Sequence, residues 1–185
     1  MIMKDKKSII IKIAVPVLVL CVIAGIWVVK NSLKAQPPIT NNSSNSSKQI
    51  NPDFALDVKK EIDLEKLKSY GVPIIIDFGS DSCIPCQEMA PVLEELNEEL
   101  QGKAIVRFVD VWKYQSLAEG YPISVIPTQV LFDAKGNPYT PKDANAIALK
   151  MYSSKDTNEH AFTTHEGGVT KKELLAMLKE MGLKE

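Results

Sequence analysis

Runs and alternations of apolar residues divide the chain into three zones. From Ile9 to Val29 every position except Lys12 is apolar. From residue 30 to residue 53 apolar residues thin out, and the heptapeptide Asn41-Asn42-Ser43-Ser44-Asn45-Ser46-Ser47 has none. Beyond Phe54, short apolar runs alternate with amphipathic stretches, the pattern of a folded α/β domain. About 20 apolar residues are enough to cross a bilayer as a helix, so residues 9–29 are predicted to form a transmembrane anchor. An Asn/Ser-rich stretch cannot bury a core, so residues 30–53 are predicted to be a flexible linker and residues 54–185 a globular domain.

Within that domain the periodicities separate into elements. Phe54 to Val58 reads as an edge strand, and Leu64 to Tyr70 as a helix stopped by Gly71 and Pro73. Pro73 to Phe78 is a buried strand, its apolar run Ile74-Ile75-Ile76-Asp77-Phe78 interrupted by one acid. The loop Gly79-Ser80-Asp81-Ser82 follows. A helix from Pro85 to Leu100 places Met89, Val92, Leu93, Leu96 and Leu100 on one face. Ala104 to Val111 alternates as a strand, with Ile105, Phe108 and Val109 inward. Tyr114 to Glu119 is a short helix or turn, Gln129 to Phe132 a strand, and Asp133 to Pro138 a turn. Ala161 to Thr164 is the last strand. Thr170-Lys171-Lys172-Glu173 is a capping box opening a final helix with Leu174, Leu175 and Leu178 inward. Residues 133–160 form a long insertion that can carry a short helix or extended strands, either as loop decoration or as a docking surface.

Charge changes the picture at one end only. The 185 residues carry a formal net charge of −1, so there is no basic footprint for nucleic acid. Lys4, Lys6, Lys7 and Lys12 precede or open the apolar span, whereas Lys30 and Lys34 follow it. The bias places residues 1–8 in the cytoplasm and the folded domain outside, as a single-pass cell-membrane protein. Two alternatives are a cleaved signal peptide and a lipoprotein lipidated at Cys21. Trp27-Val28-Val29 extends the apolar run past Ala24-Gly25, and Leu20 is too large for the position before a lipidated cysteine.

Three cysteines exclude a disulfide-stapled scaffold and leave one pair, Cys83 and Cys86. Two thiols separated by two residues can close a small disulfide ring or bind a metal. The strand–loop–helix context, with unpaired N–H groups and the positive helix end, favours a reactive pair. Cys83 stands first, at the exposed helix end, and is the expected nucleophile; Cys86, one turn further in, is the expected resolving thiol. Asp77 would be costly as an unpaired carboxylate inside a sheet, so its pKa is expected to rise. The competing chemistry is a Cys₂His₂ zinc site using His160 and His165, though about 70 residues separate the two halves.

These residues resemble the thioredoxin family. Asp77 lies six residues before Cys83, Met89-Ala90-Pro91 follows Cys86, and Val125-Ile126-Pro127-Thr128 is similar to the family's cis-proline loop. The likeness runs from Phe54 to Gly182. It implies a thioredoxin fold, an α/β architecture with a mixed central sheet flanked by helices, and a redox-active Cys83–Cys86 disulfide. It implies that Asp77 exchanges a proton with Cys86, that a cis bond at Pro127 frees the Ile126 backbone for a client strand, and that Ile84 and Pro85 face the client. No cofactor and no metal are implied. The sequence departs from the family at Gly79 and Ser82, where tryptophan is common, and at Val106 and Arg107, where a lysine often pairs with the acid. Asp81 would oppose a nearby thiolate. The implied activity is protein-disulfide reduction in cell redox homeostasis, supplied with electrons by a polytopic membrane thiol-transfer protein. Alternatives are a disulfide-forming oxidase and a non-catalytic binding module.

Overall fold

The computed structural model describes residues 51–143 and 147–184. The predicted anchor at residues 9–29, the residues before it and the linker up to residue 50 lie outside the described residues. Among the described residues no helix is long and apolar enough to cross a membrane.

Among the described residues five strands form one mixed sheet: β1 (Ile74–Gly79), β2 (Ile105–Asp110), β3 (Thr128–Phe132), β4 (Leu149–Ser153) and β5 (His160–Glu166). Their spatial order is β2-β1-β3-β5-β4. β1 and β2 are parallel, and the remaining pairs are antiparallel. Three helices pack on the sheet: α1 (Leu64–Ser69), α2 (Ile84–Glu99) and α3 (Lys171–Glu180). Helices lie on both faces, as expected of an α/β domain.

The isoleucine triplet explains why β1 is an interior strand. Alternation sends Ile75 to one face, where it joins Val106 and Leu131 beneath α2 and α3. Ile74, Ile76 and Phe78 go to the other face with Ile105, Val109, Val130 and Phe132. All three isoleucines are fully buried, each contributing roughly 1.5–3 kcal/mol of burial. A strand apolar on both faces cannot be an edge, so β2 and β3 flank it. The same alternation puts Asp77 on the α2 side.

Four expectations need correction or extension. Phe54 to Val58 is not an edge strand. Pro52–Phe54 form a 3₁₀ turn capped by the Asn51 side chain, which accepts from the Asp53 N–H at 3.0 Å. Only an isolated parallel bridge joins Asp57 to Phe108. Residues 51–53 are not free linker either, because Asp53 accepts from the Tyr70 hydroxyl at 2.5 Å and pairs with Lys66 at 2.8 Å. The insertion supplies β4, which runs antiparallel to β5 and adds an edge strand to the sheet. Its first half is tied down by Tyr139, buried and donating to Glu180 at 2.8 Å. On α3, Leu175 is only partly buried, while Met177 fills the core beside Leu174 and Leu178.

The capping box of α3 forms as read from the sequence: Thr170 Oγ1 accepts from the Glu173 N–H at 3.3 Å, and Glu173 Oε2 accepts from the Thr170 N–H at 2.9 Å. Thr170→Ala should therefore lower stability by about 1 kcal/mol without altering the fold, measured as a reduced urea midpoint at unchanged slope.

Candidate active site

The β1–α2 junction builds the reactive pair. Cys83 is the N-cap residue of α2, half-exposed, and its carbonyl accepts from the Gln87 N–H at 3.0 Å. Pro85 stands in the first turn, where a missing N–H costs nothing. Cys86 lies one turn on and is 4 % exposed. The two are joined as a disulfide with Cα atoms 5.2 Å apart. No acidic residue occupies the first turn of α2, so the positive helix end faces Cys83 unneutralised; such a terminus stabilises an anion by roughly 0.3–1 kcal/mol. A cleft of about 250 Å³, lined by Ser80, Cys86, Ala90, Leu93 and Phe108 among others, opens beside the second cysteine.

The Ile126–Pro127 peptide is cis. Its loop passes the disulfide, with the Ile126 carbonyl oxygen 3.9 Å from Cys83 Sγ. Pro127 is buried, and its carbonyl accepts from the Gly167 N–H at 2.8 Å. The Ile126 N–H and C=O pair with no backbone group among the described residues. Ile84 beside Cys83 is 70 % exposed, and Pro85 is exposed too.

Asp77 is fully buried on the face under α2. Its Oδ1 accepts from Gln129 Nε2 at 2.7 Å, and its Oδ2 has no partner among the described residues. Burial, opposed only by the Gln129 hydrogen bond, raises its pKa from 3.8 to about 7. Gly79 connects it to the thiol: a Cβ at that position would lie 3.3 Å from Asp77 Oδ2, 3.2 Å from Cys86 Sγ and 2.9 Å from the Phe108 ring. The acid and the resolving sulfur therefore border the same small space, which only glycine leaves open. Arg107 does not serve as a counter-ion. It pairs in register with Ile76 and so faces the other side of the sheet, near Asp53 and Tyr121, while Val106 is core. Among the described residues no cation pairs with Asp77.

The rim modifies two readings. Asp81 is not a bare charge beside the thiol, because it pairs with Lys113, which also reaches Asp110 at 3.5 Å. Both Asp81 and Lys113 are more than half exposed, so solvent screens the pair and Asp81 opposes a thiolate weakly. An aromatic side chain from outside the Cys83–Cys86 segment stands beside the Ile126 loop. Trp112, 64 % exposed, lines a surface cleft with Val125 and Ile126.

Sequence reasoning missed Gln129 as a site residue and weighed His165 only as a zinc ligand. Gln129 is a fully buried polar residue at the start of β3, just before the apolar run Val130-Leu131-Phe132. His165 Nδ1 lies 2.7 Å from Gln129 Oε1. The Cys₂His₂ alternative is not assembled: His165 engages Gln129, and His160 Nε2 contacts the Phe162 carbonyl oxygen and Thr163 Oγ1 at 3.1 and 2.8 Å.

Residues 58–155 match the sequence model of the thioredoxin family. Thioredoxin C-2 of Corynebacterium nephridii is 42% identical over 90 residues, 49% of this chain and 75% of that protein. Chloroplastic thioredoxin Y of Oryza sativa subsp. japonica is 40% identical over 68 residues, 37% of this chain. The chain spans 40% of the length of that chloroplast relative. Among solved structures, a mutant thioredoxin from Halobacterium salinarum NRC-1 is similar at 27% identity and a TM-score of 0.49, covering 72% of this chain and 95% of its own.

Asp77 makes stability fall with rising pH. The unfolded chain releases this proton near 3.8, whereas the native state holds it to about 7. The native state thus binds more protons across that window, and stability drops through it by on the order of 4 kcal/mol. Asp77→Asn should remove this component: in urea unfolding of the oxidised protein, the variant should gain most over wild type at pH 8 and least at pH 4.

Proposed function

This chain belongs to the thioredoxin family, and we propose that it is a protein-disulfide reductase working through Cys83 and Cys86. The observation that carries the reading is the placement of Cys86 Sγ and the unpartnered Asp77 Oδ2 on one small space, with Cys83 beside the cis Ile126–Pro127 loop. In the reduced enzyme the Cys83 thiolate attacks a client disulfide. A bond forms between Cys83 and one client sulfur, and the other client sulfur leaves and takes up a proton. Asp77 then accepts the Cys86 proton, directly or through one water in that space. The Cys86 thiolate attacks Cys83 Sγ, closing the disulfide and releasing the second client thiol. Two electrons pass to the client. Ile126, Ile84 and Pro85 offer backbone and apolar surface to the client strand.

The apolar span at residues 9–29 supports the second half of the proposal. The chain is a single-pass membrane protein with residues 1–8 in the cytoplasm and its catalytic domain outside, tethered by the polar segment that follows the span. A reductase so placed needs electrons carried across the bilayer, so its partner is a polytopic thiol-transfer protein.

Two experiments test these halves. Cys83→Ser should abolish reduction of insulin disulfides, and Cys86→Ser should accumulate mixed disulfides on non-reducing gels; unchanged turnover in both variants overturns the assignment. In intact cells, a membrane-impermeant maleimide should label the reduced pair without lysis, whereas labelling only after lysis overturns the orientation.

A further inference from the structure

Asp77, Gln129 and His165 occupy one row across three strands. Asp77 is opposite Gln129 in the β1–β3 register, and Gln129 is opposite His165 in the β3–β5 register. Directly paired residues point to the same sheet face, so the row continues beneath α2 as a chain of side chains. The hydrogen bonds fix its polarity. Gln129 Nε2 lies 2.7 Å from Asp77 Oδ1 and 3.3 Å from the Gly167 carbonyl oxygen. A carbonyl can only accept, so the amide nitrogen must face this end and Oε1 must face His165. His165 therefore donates from Nδ1, at 2.7 Å. With Oδ1 occupied by the Gln129 N–H, the hydrogen of protonated Asp77 goes to Oδ2, the buried oxygen with no other partner among the described residues, which borders the space shared with Cys86 Sγ.

We propose that Gln129 and His165 are positioning residues that hold the exchangeable proton of Asp77 on the oxygen beside Cys86, and thereby set the pH at which the resolving cysteine is activated. This rests on the reading of Asp77 as the group that accepts the Cys86 proton. The surroundings isolate the effect. Around Asp77 stand Met89 and Cys86 of α2, Phe108 of β2, and Gln129 of β3. The charged groups that act on His165 are Glu166, its neighbour on β5, and Glu173 of α3; Leu149 of β4 lies opposite it. Glu166 is paired with Lys150 at 2.6 Å and Glu173 with the Thr170 cap. Burial holds His165 below the ordinary imidazole value of 6.5 despite those two acids. It is thus neutral where Asp77 titrates, and its Nδ1–H remains a donor in either state.

The test is the pH dependence of insulin-disulfide reduction by the full chain, comparing wild type with Asp77→Asn, Gln129→Met, His165→Phe and the Gln129→Met/His165→Phe double variant. Wild-type turnover should rise with pH through an inflection that Asp77→Asn abolishes. Gln129→Met keeps the side-chain volume but removes the Gln129 donor to Asp77. It should move the inflection up by about one unit, lowering kcat at pH 7 about fivefold with little change in KM. His165→Phe frees the Gln129 amide to turn and should move the inflection the same way by less. The double variant should shift no further than Gln129→Met alone, because both act through one amide. If Asp77→Asn abolishes the inflection but the other variants keep it at the wild-type pH, or if their shifts add, the positioning role is wrong and the Asp77 role stands. If Asp77→Asn retains the inflection, the Asp77 role itself fails. Should Gln129→Met not fold, His165→Phe at its half-buried position decides the positioning role alone.

Discussion

A carboxyl group fully buried inside a sheet, with one hydrogen-bond donor and no cation among the described residues, is the constraint on which this site depends. Ionised in such a place, Asp77 would carry a desolvation cost of several kcal/mol, which one amide donor offsets only in part. The group therefore stays protonated until the pH nears about 7. That keeps it close to the value at which a proton acceptor for a thiol is most effective. A salt bridge from Arg107 would have removed this property, and strand alternation aims Arg107 at the opposite face.

The fold makes the arrangement affordable. The two apolar clusters on either side of the sheet bury β1 completely, so one unfavourable carboxyl is tolerated among many favourable burials. Gly79, two residues after Asp77 in β1, leaves room for sulfur and oxygen to border one space. The cis Ile126–Pro127 loop and the α2 N-terminus then converge on the exposed sulfur from two directions. Stability and chemistry are thus coupled through one strand: the residues that make β1 an interior strand also deprive Asp77 of water.

Much of this was legible in the sequence, and the gaps have physical causes. The buried strand, the long helix, the capping box and the reactive pair follow from strong local patterns: a β-branched run, a 3.6-residue period, a Thr-x-x-Glu and a Cys-x-x-Cys. Phe54 to Val58 was misread because propensity suggested a strand, whereas Asn51 and Pro52 close a turn first. The β4 strand was hidden in the insertion because it is a half-exposed edge with a weak alternation. Gln129 and His165 were invisible as a unit because 36 residues separate them, and their meeting depends on sheet register, which no local pattern encodes. Trp112 was overlooked because it comes from a loop remote in sequence from the cysteines, and only the cleft it shares with Ile126 reveals its place.

Site-resolved carboxyl NMR of Asp77 in the oxidised full chain tests the central claim most directly. The buried, cation-free environment predicts a titration midpoint near 7. A midpoint at the ordinary value near 3.8 would mean that water or a cation reaches the group, and the account of how Cys86 is activated would be contradicted.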